Sequence, residues 1–316
     1  MPRFIELPAR RLLIFVAIWA GLVVSWPAGA SWKAPREALD RRLASADIYI
    51  HYTLDGKDAF APDIPAGKQR ETEAAARLSA LVEQLAHADQ IYREKLGLRR
   101  PFSSKRYATG QGIDIHILKL DGKSGSTGDE LHRFDYRKFP SRQKVLTIAL
   151  THQWLPTGIT PAHELFHAYQ YGYTFFKNAW FLEGMARASE SFIRMAPGKQ
   201  SALPNNLPLL DELLGRSYSA DGFWNRLLEL CGPRFLHPLL VAFDHQDDIA
   251  ARHRNIPSDA WPENAQWENA NNAYLLEGLR ETLTPTHCQA MPGNVETVRF
   301  KATIEAWIVR EPRVLK

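Results

Sequence analysis

The chain has 316 residues, 45% of them hydrophobic and 23% charged, with a formal net charge of +4. That composition carries enough apolar mass for one large core or two modest lobes and excludes a disordered chain. Residues 1–30 hold three Arg and one Glu, so the remainder carries a formal charge of only +2. No basic stripe with interleaved aromatics runs through that remainder, and nucleic acid is not an expected partner.

Taken in chain order, the first segment differs from the rest. Arg3, Arg10 and Arg11 precede an apolar run over residues 12–24, and Pro27 and the small residues Ala28-Gly29-Ala30 follow. Positive, apolar and small segments in this order are those of a secretory signal peptide, with cleavage expected after Ala30. The run is short of the roughly 20 residues that a membrane-spanning helix needs. The alternative is an uncleaved anchor extending through Trp26; Arg10-Arg11 also admits a twin-arginine signal, although its neighbours do not support one. Either way the body is expected outside the cytoplasm, periplasmic or secreted, with no stable membrane span once the signal is removed. There the two cysteines, Cys231 and Cys288, would be free to form one disulfide, while two separate buried thiols remain equally open.

The rest divides into an N-terminal α+β lobe over residues 31–158 and a mainly helical part over 159–316. Residues 47–53 alternate as a strand does, and 69–96 carry Ala74, Leu78, Leu81, Leu85 and Ile91 at helical spacing, with Gly97 as the stop. Residues 113–118 and 145–150 are rich in β-formers. Between them, 121–129 is full of Gly, Ser and Asp and predicts a long exposed loop. Helices are expected over 161–171, 179–195, 207–214, 219–230, 234–243, 268–283 and 295–309, with a polar, Pro-interrupted surface loop over 244–263. Strands followed by helices give an α+β fold rather than a parallel α/β sheet.

The segment that carries chemistry is Thr160-Pro161-Ala162-His163-Glu164-Leu165-Phe166-His167. Thr160 suits an N-cap and Pro161 a first helical position, so a helix should start here. His163 and His167, four residues apart, then lie one turn apart on one face, where both imidazoles can grip a single zinc ion. Glu164 is placed to accept a proton from an activated water and pass it to a leaving amine. A zinc hydrolase needs a third protein ligand and an open position, and Glu183 in Trp180-Phe181-Leu182-Glu183-Gly184-Met185-Ala186 is the candidate. Gly172 would end the first helix, and Gly184 and Ala186 would let a second approach closely. Glu190, two turns beyond Glu183, could accept the free ring N–H of a ligating histidine. The competing reading pairs Glu183 with Arg187 and Glu190 with Arg194 as surface ion pairs.

HELFH followed by WFLEGMARASE resembles the gluzincin clan of zinc metallopeptidases, most closely its peptidase MA-like, or minigluzincin-type, domains. The resemblance spans roughly residues 113–232 and implies a strand-rich wall, an active-site helix and a helical lobe. It implies His163, His167 and Glu183 as zinc ligands, Glu164 as general base, and Glu190 as the acidic residue often found after the ligand glutamate. It also implies a peptide or protein substrate and endopeptidase action. The spacer before Glu183 is shorter than in the large aminopeptidases and no GxMEN segment is present, so aminopeptidase activity is not implied. Gln170 and Tyr173 stand where metzincins carry Gly and a third His.

Hydrolysis also calls for a donor to the developing oxyanion. Tyr218, at the start of a helix resembling the segment that follows the zinc helices in this clan, is the first candidate, with Tyr173, His237 and Tyr274 as alternatives. The strand over 144–151 is the first choice of edge for pairing with a substrate backbone, with an internal strand left equally open. The rival expectation from another class is a catalytically silent exported binding or scaffold protein that keeps the same zinc site.

Overall fold

The computed structural model describes residues 32–139 and 143–311; the expected signal peptide lies outside them. Among the described residues no helix is long and apolar enough to cross a membrane.

The fold is α+β. After a short helix α1 (Ala34–Glu37), strands β1 (Arg41–Ser45) and β2 (Ile48–Tyr52) form a hairpin, and the long helix α2 (Lys68–Gln90) leads to β3 (Gly112–Leu118), β4 (Gly125–Thr127) and β5 (Val145–Thr151). These five strands form one mixed sheet in the order β1-β2-β3-β5-β4. The β2–β3 and β3–β5 pairs are parallel, and both outer pairs are antiparallel.

Strand alternation gives the sheet two chemically different faces. Ile50, Ile113, Ile115, Ile117, Leu146, Ile148 and Leu150 join the main core, which also holds Leu78, Leu81 and Leu85 of α2. The opposite face bears His51, Asp114 and His116, all buried, under a smaller cluster of Phe134, Tyr136 and Val145.

The remaining chain is helical: α3 (Thr160–Tyr171), α4 (Ala179–Arg194), α5 (Leu207–Leu214), α6 (Asp221–Cys231), α7 (Leu236–Arg254), α8 (Glu263–Gln266), α9 (Asn271–Thr282) and α10 (Val295–Arg310). Helix α3 lies against α2, fixed by the Tyr169 hydroxyl donating to Asp89 and, just beyond the end of α2, by the Tyr92 hydroxyl donating to the Ala162 carbonyl at 2.9 Å. Cys231 and Cys288 form a disulfide between the end of α6 and the segment after α9, which resolves the choice that composition left open.

Four expectations are corrected. The presumed loop over 121–129 contains β4, which pairs antiparallel with β5 in the register Gly125↔Leu150 to Thr127↔Ile148; its small polar residues are tolerated because only three residues pair, at the sheet edge. In consequence β5, the first choice for a free edge, is an internal strand, the alternative that the sequence leaves open, and β4 is the edge strand. The presumed loop from 244 begins as the second half of α7, which runs to Arg254. There Gln246, Asp247, Ala250 and Ala251 are buried, and Asp247 accepts the Phe175 N–H at 2.6 Å, so the polar side chains face the interior with partners. Finally, Thr160 is the first helical residue rather than the cap; Ile159 occupies the cap and makes no side-chain cap bond.

Candidate metal centre

Helix α4 returns antiparallel to α3. Gln170, near the end of α3, donates from Nε2 to the Leu182 carbonyl at 3.1 Å, while His163, near the start of α3, meets Glu190 further along α4. Between these two anchor points Glu183 faces both histidines. Its Oε2 lies 3.3 Å from His163 Nε2 and 3.5 Å from His167 Nε2, and the two Nε2 atoms are 3.1 Å apart. Among the described residues this trio is the only group of three or more His, Cys, Asp or Glu whose ligand atoms converge this closely.

The outer ring nitrogens fix the chemistry of the inner ones. His163 Nδ1 is 3.1 Å from Glu190 Oε1, and His167 Nδ1 is 2.9 Å from Gln170 Oε1. Both partners are acceptors, since Gln170 spends its amide N–H groups on α4 carbonyls. Each imidazole therefore donates outward from Nδ1 and faces Nε2 inward, where its lone pair would serve a metal once any proton there is displaced. Two lone pairs and a carboxylate oxygen crowded at one point repel unless a cation sits among them. At Zn–ligand distances of about 2.0–2.1 Å a tetrahedral site has ligand–ligand edges of about 3.3 Å, and the observed triangle of 3.1, 3.3 and 3.5 Å fits that geometry.

Electrostatically the trio draws positive charge inward, and without a metal that charge is a proton on His163, which a bound cation would displace. Burial works against a charged His163, but the hydrogen bonds to Glu183 and Glu190 outweigh it and raise its pKa to about 9. Burial likewise opposes ionisation of Glu183, and the two histidines overcome it, holding that carboxyl far below its usual range. The surface ion pairs considered for these glutamates are only partly present: Arg194 lies 3.7 Å from Glu190, whereas Arg187 turns to Asp221 at 3.7 Å.

Glu164 lies beside this trio, in the same cleft of about 770 Å³ that is lined by β4, α3, α4 and Tyr218. The Thr127 hydroxyl sits 2.7 Å from Glu164 Oε2 and 2.8 Å from the Glu164 carbonyl, tying the edge strand to the carboxylate. Gly125 allows the approach, because a Cβ there would come 2.7 Å from both Glu164 Oε1 and Thr160 Cγ2.

The Tyr218 ring stands 5.9 Å from that of His163, at the lip of the cleft and 49% exposed. Gly184 permits this, since a Cβ there would meet Ala220 Cβ at 2.7 Å and push away the turn that carries Tyr218. Burial and the nearby Glu183 raise the Tyr218 hydroxyl to about 12, so it remains a proton-bearing donor. The alternatives are elsewhere: the Tyr173 hydroxyl accepts the Arg99 N–H and contacts His237, and Tyr274 meets His253.

Two contributors were missed from sequence. Gln170 entered only as a departure from another metallopeptidase pattern, and Thr127 only as part of a loop; neither a lone Gln in a helix nor a Gly-Ser-Thr run signals its partner. Compared with known proteins, the chain matches no family model, no curated protein and no solved structure.

Proposed function

We propose that the protein is an exported zinc metallopeptidase of gluzincin type, cleaving peptide bonds with Glu164 as general base. The observation that carries the reading is the convergence of His163 Nε2, His167 Nε2 and Glu183 Oε2 beside the Glu164 carboxylate in an open cleft. Zinc, when bound, supplies a Lewis acid that polarises the scissile carbonyl and acidifies a water.

Glu164 takes the proton of the attacking water as its oxygen bonds to the carbonyl carbon. It then delivers that proton to the amide nitrogen as the C–N bond breaks, and the water's second proton passes from the new carboxylic acid to the amine, leaving a carboxylate and an ammonium. Thr127 holds one carboxylate oxygen of Glu164 in place during both transfers. The Tyr218 hydroxyl donates to the oxyanion developing on the carbonyl. The edge strand β4 offers its unpaired backbone groups to an extended peptide lying along the cleft.

Export is supported by the order of residues 1–30 and by the Cys231–Cys288 disulfide, a bond favoured outside the cytoplasm. Metal analysis of the purified protein tests the reading: one zinc per chain is expected, lost in His163→Ala and Glu183→Ala. Glu164→Gln should retain zinc while peptide turnover falls by about 10²- to 10⁴-fold. Full turnover by Glu164→Gln would remove Glu164 from the mechanism, and wild-type protein with no zinc would remove the mechanism itself.

A further inference from the structure

The cleft has two chemically different ends. At the end facing the start of α3, α4 contributes Arg187 and Arg194, both exposed and both paired with acids. At the other end, beyond His167, the rings of Tyr171 and Trp267 line the cleft together with Lys177, Asp129 and Glu263. The Tyr171 ring stacks against that of His167 at 6.0 Å, the Lys177 ammonium lies 5.5 Å from the Tyr171 ring, and the same ammonium lies 5.5 Å from the ring of Trp267. Trp267 is 50% exposed, while every other tryptophan among the described residues is buried or half-buried.

The exposed ring stands on a rigid support. Lys177 donates its backbone N–H to the Gln266 carbonyl at 2.8 Å, and Asn178 donates to the Glu268 carbonyl at 3.3 Å, bracketing Trp267 on both sides. The buried Asn271 side chain donates to the carbonyls of Ala265 and Gln266 at 2.9 and 3.0 Å. Residues 177 and 178 lead directly into α4, so the loop that presents Trp267 is fastened to the helix that presents Glu183. Lys177 itself is buried and held by Asp129 at 3.0 Å. A large aromatic surface fixed in place and left open within a cleft is poised to be covered by a ligand.

We propose that Trp267, backed by Lys177, forms a substrate subsite that accepts a large apolar or aromatic side chain of the peptide, on the side of the scissile bond toward which α3 runs. This rests on the metallopeptidase reading and makes it more specific. The ammonium of Lys177 lies 5.5 Å from the centre of the indole, so a second cation brought to the ring meets a like charge there, and lysine or arginine side chains are disfavoured. An uncharged ring or branched aliphatic chain gains by excluding water from the exposed indole surface.

The test uses zinc-loaded protein and a panel of fluorogenic alanine-based peptides in which Phe, Leu or Lys replaces Ala at each position flanking the scissile bond. Wild type should favour Phe and Leu over Ala at one position by roughly 10- to 100-fold in kcat/KM, with Lys no better than Ala. Trp267→Phe should keep the preference, and Trp267→Ala should lose most of it while zinc content stays at the wild-type level. An unchanged preference in Trp267→Ala, or no apolar preference at any position in wild type, overturns the subsite. Should wild type cleave none of the peptides, the metallopeptidase reading fails separately. The subsite is then decided by fluorescence anisotropy of the same peptides, labelled: tighter binding of Phe peptides to wild type than to Trp267→Ala supports it, and equal affinity overturns it.

Discussion

The side-chain amide of Gln170 joins His167 to the helix that supplies Glu183: its Oε1 lies 2.9 Å from His167 Nδ1 while its Nε2 donates to the Leu182 carbonyl at 3.1 Å. One fully buried residue thus sets the tautomer of one candidate ligand and the distance to another. Glu190 does the first of these for His163.

Removing either outward acceptor leaves the inner ligand atoms in place but frees an imidazole to rotate or change tautomer. Gln170→Ala and Glu190→Ala are each expected to weaken zinc affinity by about 10- to 100-fold. Competition against a chromophoric chelator measures this directly. Glu190→Gln, which keeps an acceptor oxygen, should fall between wild type and Glu190→Ala.

The contact of β4 with α3 has a different signature. A methyl group at position 125 would collide with Glu164 Oε1 and Thr160 Cγ2, displacing the carboxylate or the strand and sparing the histidines. Gly125→Ala should therefore bind zinc as wild type does and lose about 10²-fold in kcat, the scale of a displacement of about 1 Å in a reacting group. Thr127→Val, lacking the hydroxyl that touches Glu164 Oε2, should fall in the same class.

Far from the cleft, the polar face of the sheet gives the fold a pH dependence. The Tyr136 hydroxyl donates to Asp114 at 2.6 Å and is 2.6 Å from His116 Nε2, so His116 is the donor to Tyr136. Burial, reinforced by His51, Arg36 and His132, holds the His116 pKa well below its usual range. In the unfolded chain it protonates near pH 6.5. The stability that depends on neutral His116 is thus present above about pH 6.5 and is lost as pH falls below it, by up to about 1.4 kcal/mol per unit. Thermal unfolding between pH 8 and pH 5 should fall less steeply in His116→Gln than in wild type. The difference between the two isolates His116 from His163, whose raised pKa acts in the opposite sense, its stabilisation being lost as pH rises through about 9.

The disulfide closes a loop of 57 residues. Replacing Cys231 and Cys288 together by Ala should lower stability by about 2–5 kcal/mol, mainly by freeing the unfolded chain. Denaturant midpoints with and without reductant check this, and zinc content in native buffer should be unchanged because neither cysteine lines the cleft.

The HELFH turn, the second helix and the α+β organisation were legible in the sequence because each rests on local periodicity. Two histidines four apart share a helix face wherever that helix lies, and Trp180 to Ile193 places its buried residues at helical spacing. Helix α7 was half legible. Its polar second half, with Gln246 and Asp247, read as loop because sequence shows the polarity of a side chain and not the Phe175 N–H that satisfies it.

Local rules alone thus determined which residues could act together along one helix. The tertiary structure decided what no spacing encodes: that β4 and not β5 forms the rim of the cleft, that Thr127 reaches Glu164 across 37 positions, that Gln170 bridges two helices, and that Trp267 stands in the same cleft as His167. Such contacts depend on the packing of segments distant in the chain, where small residues such as Gly125 and Gly184 set the distances between elements.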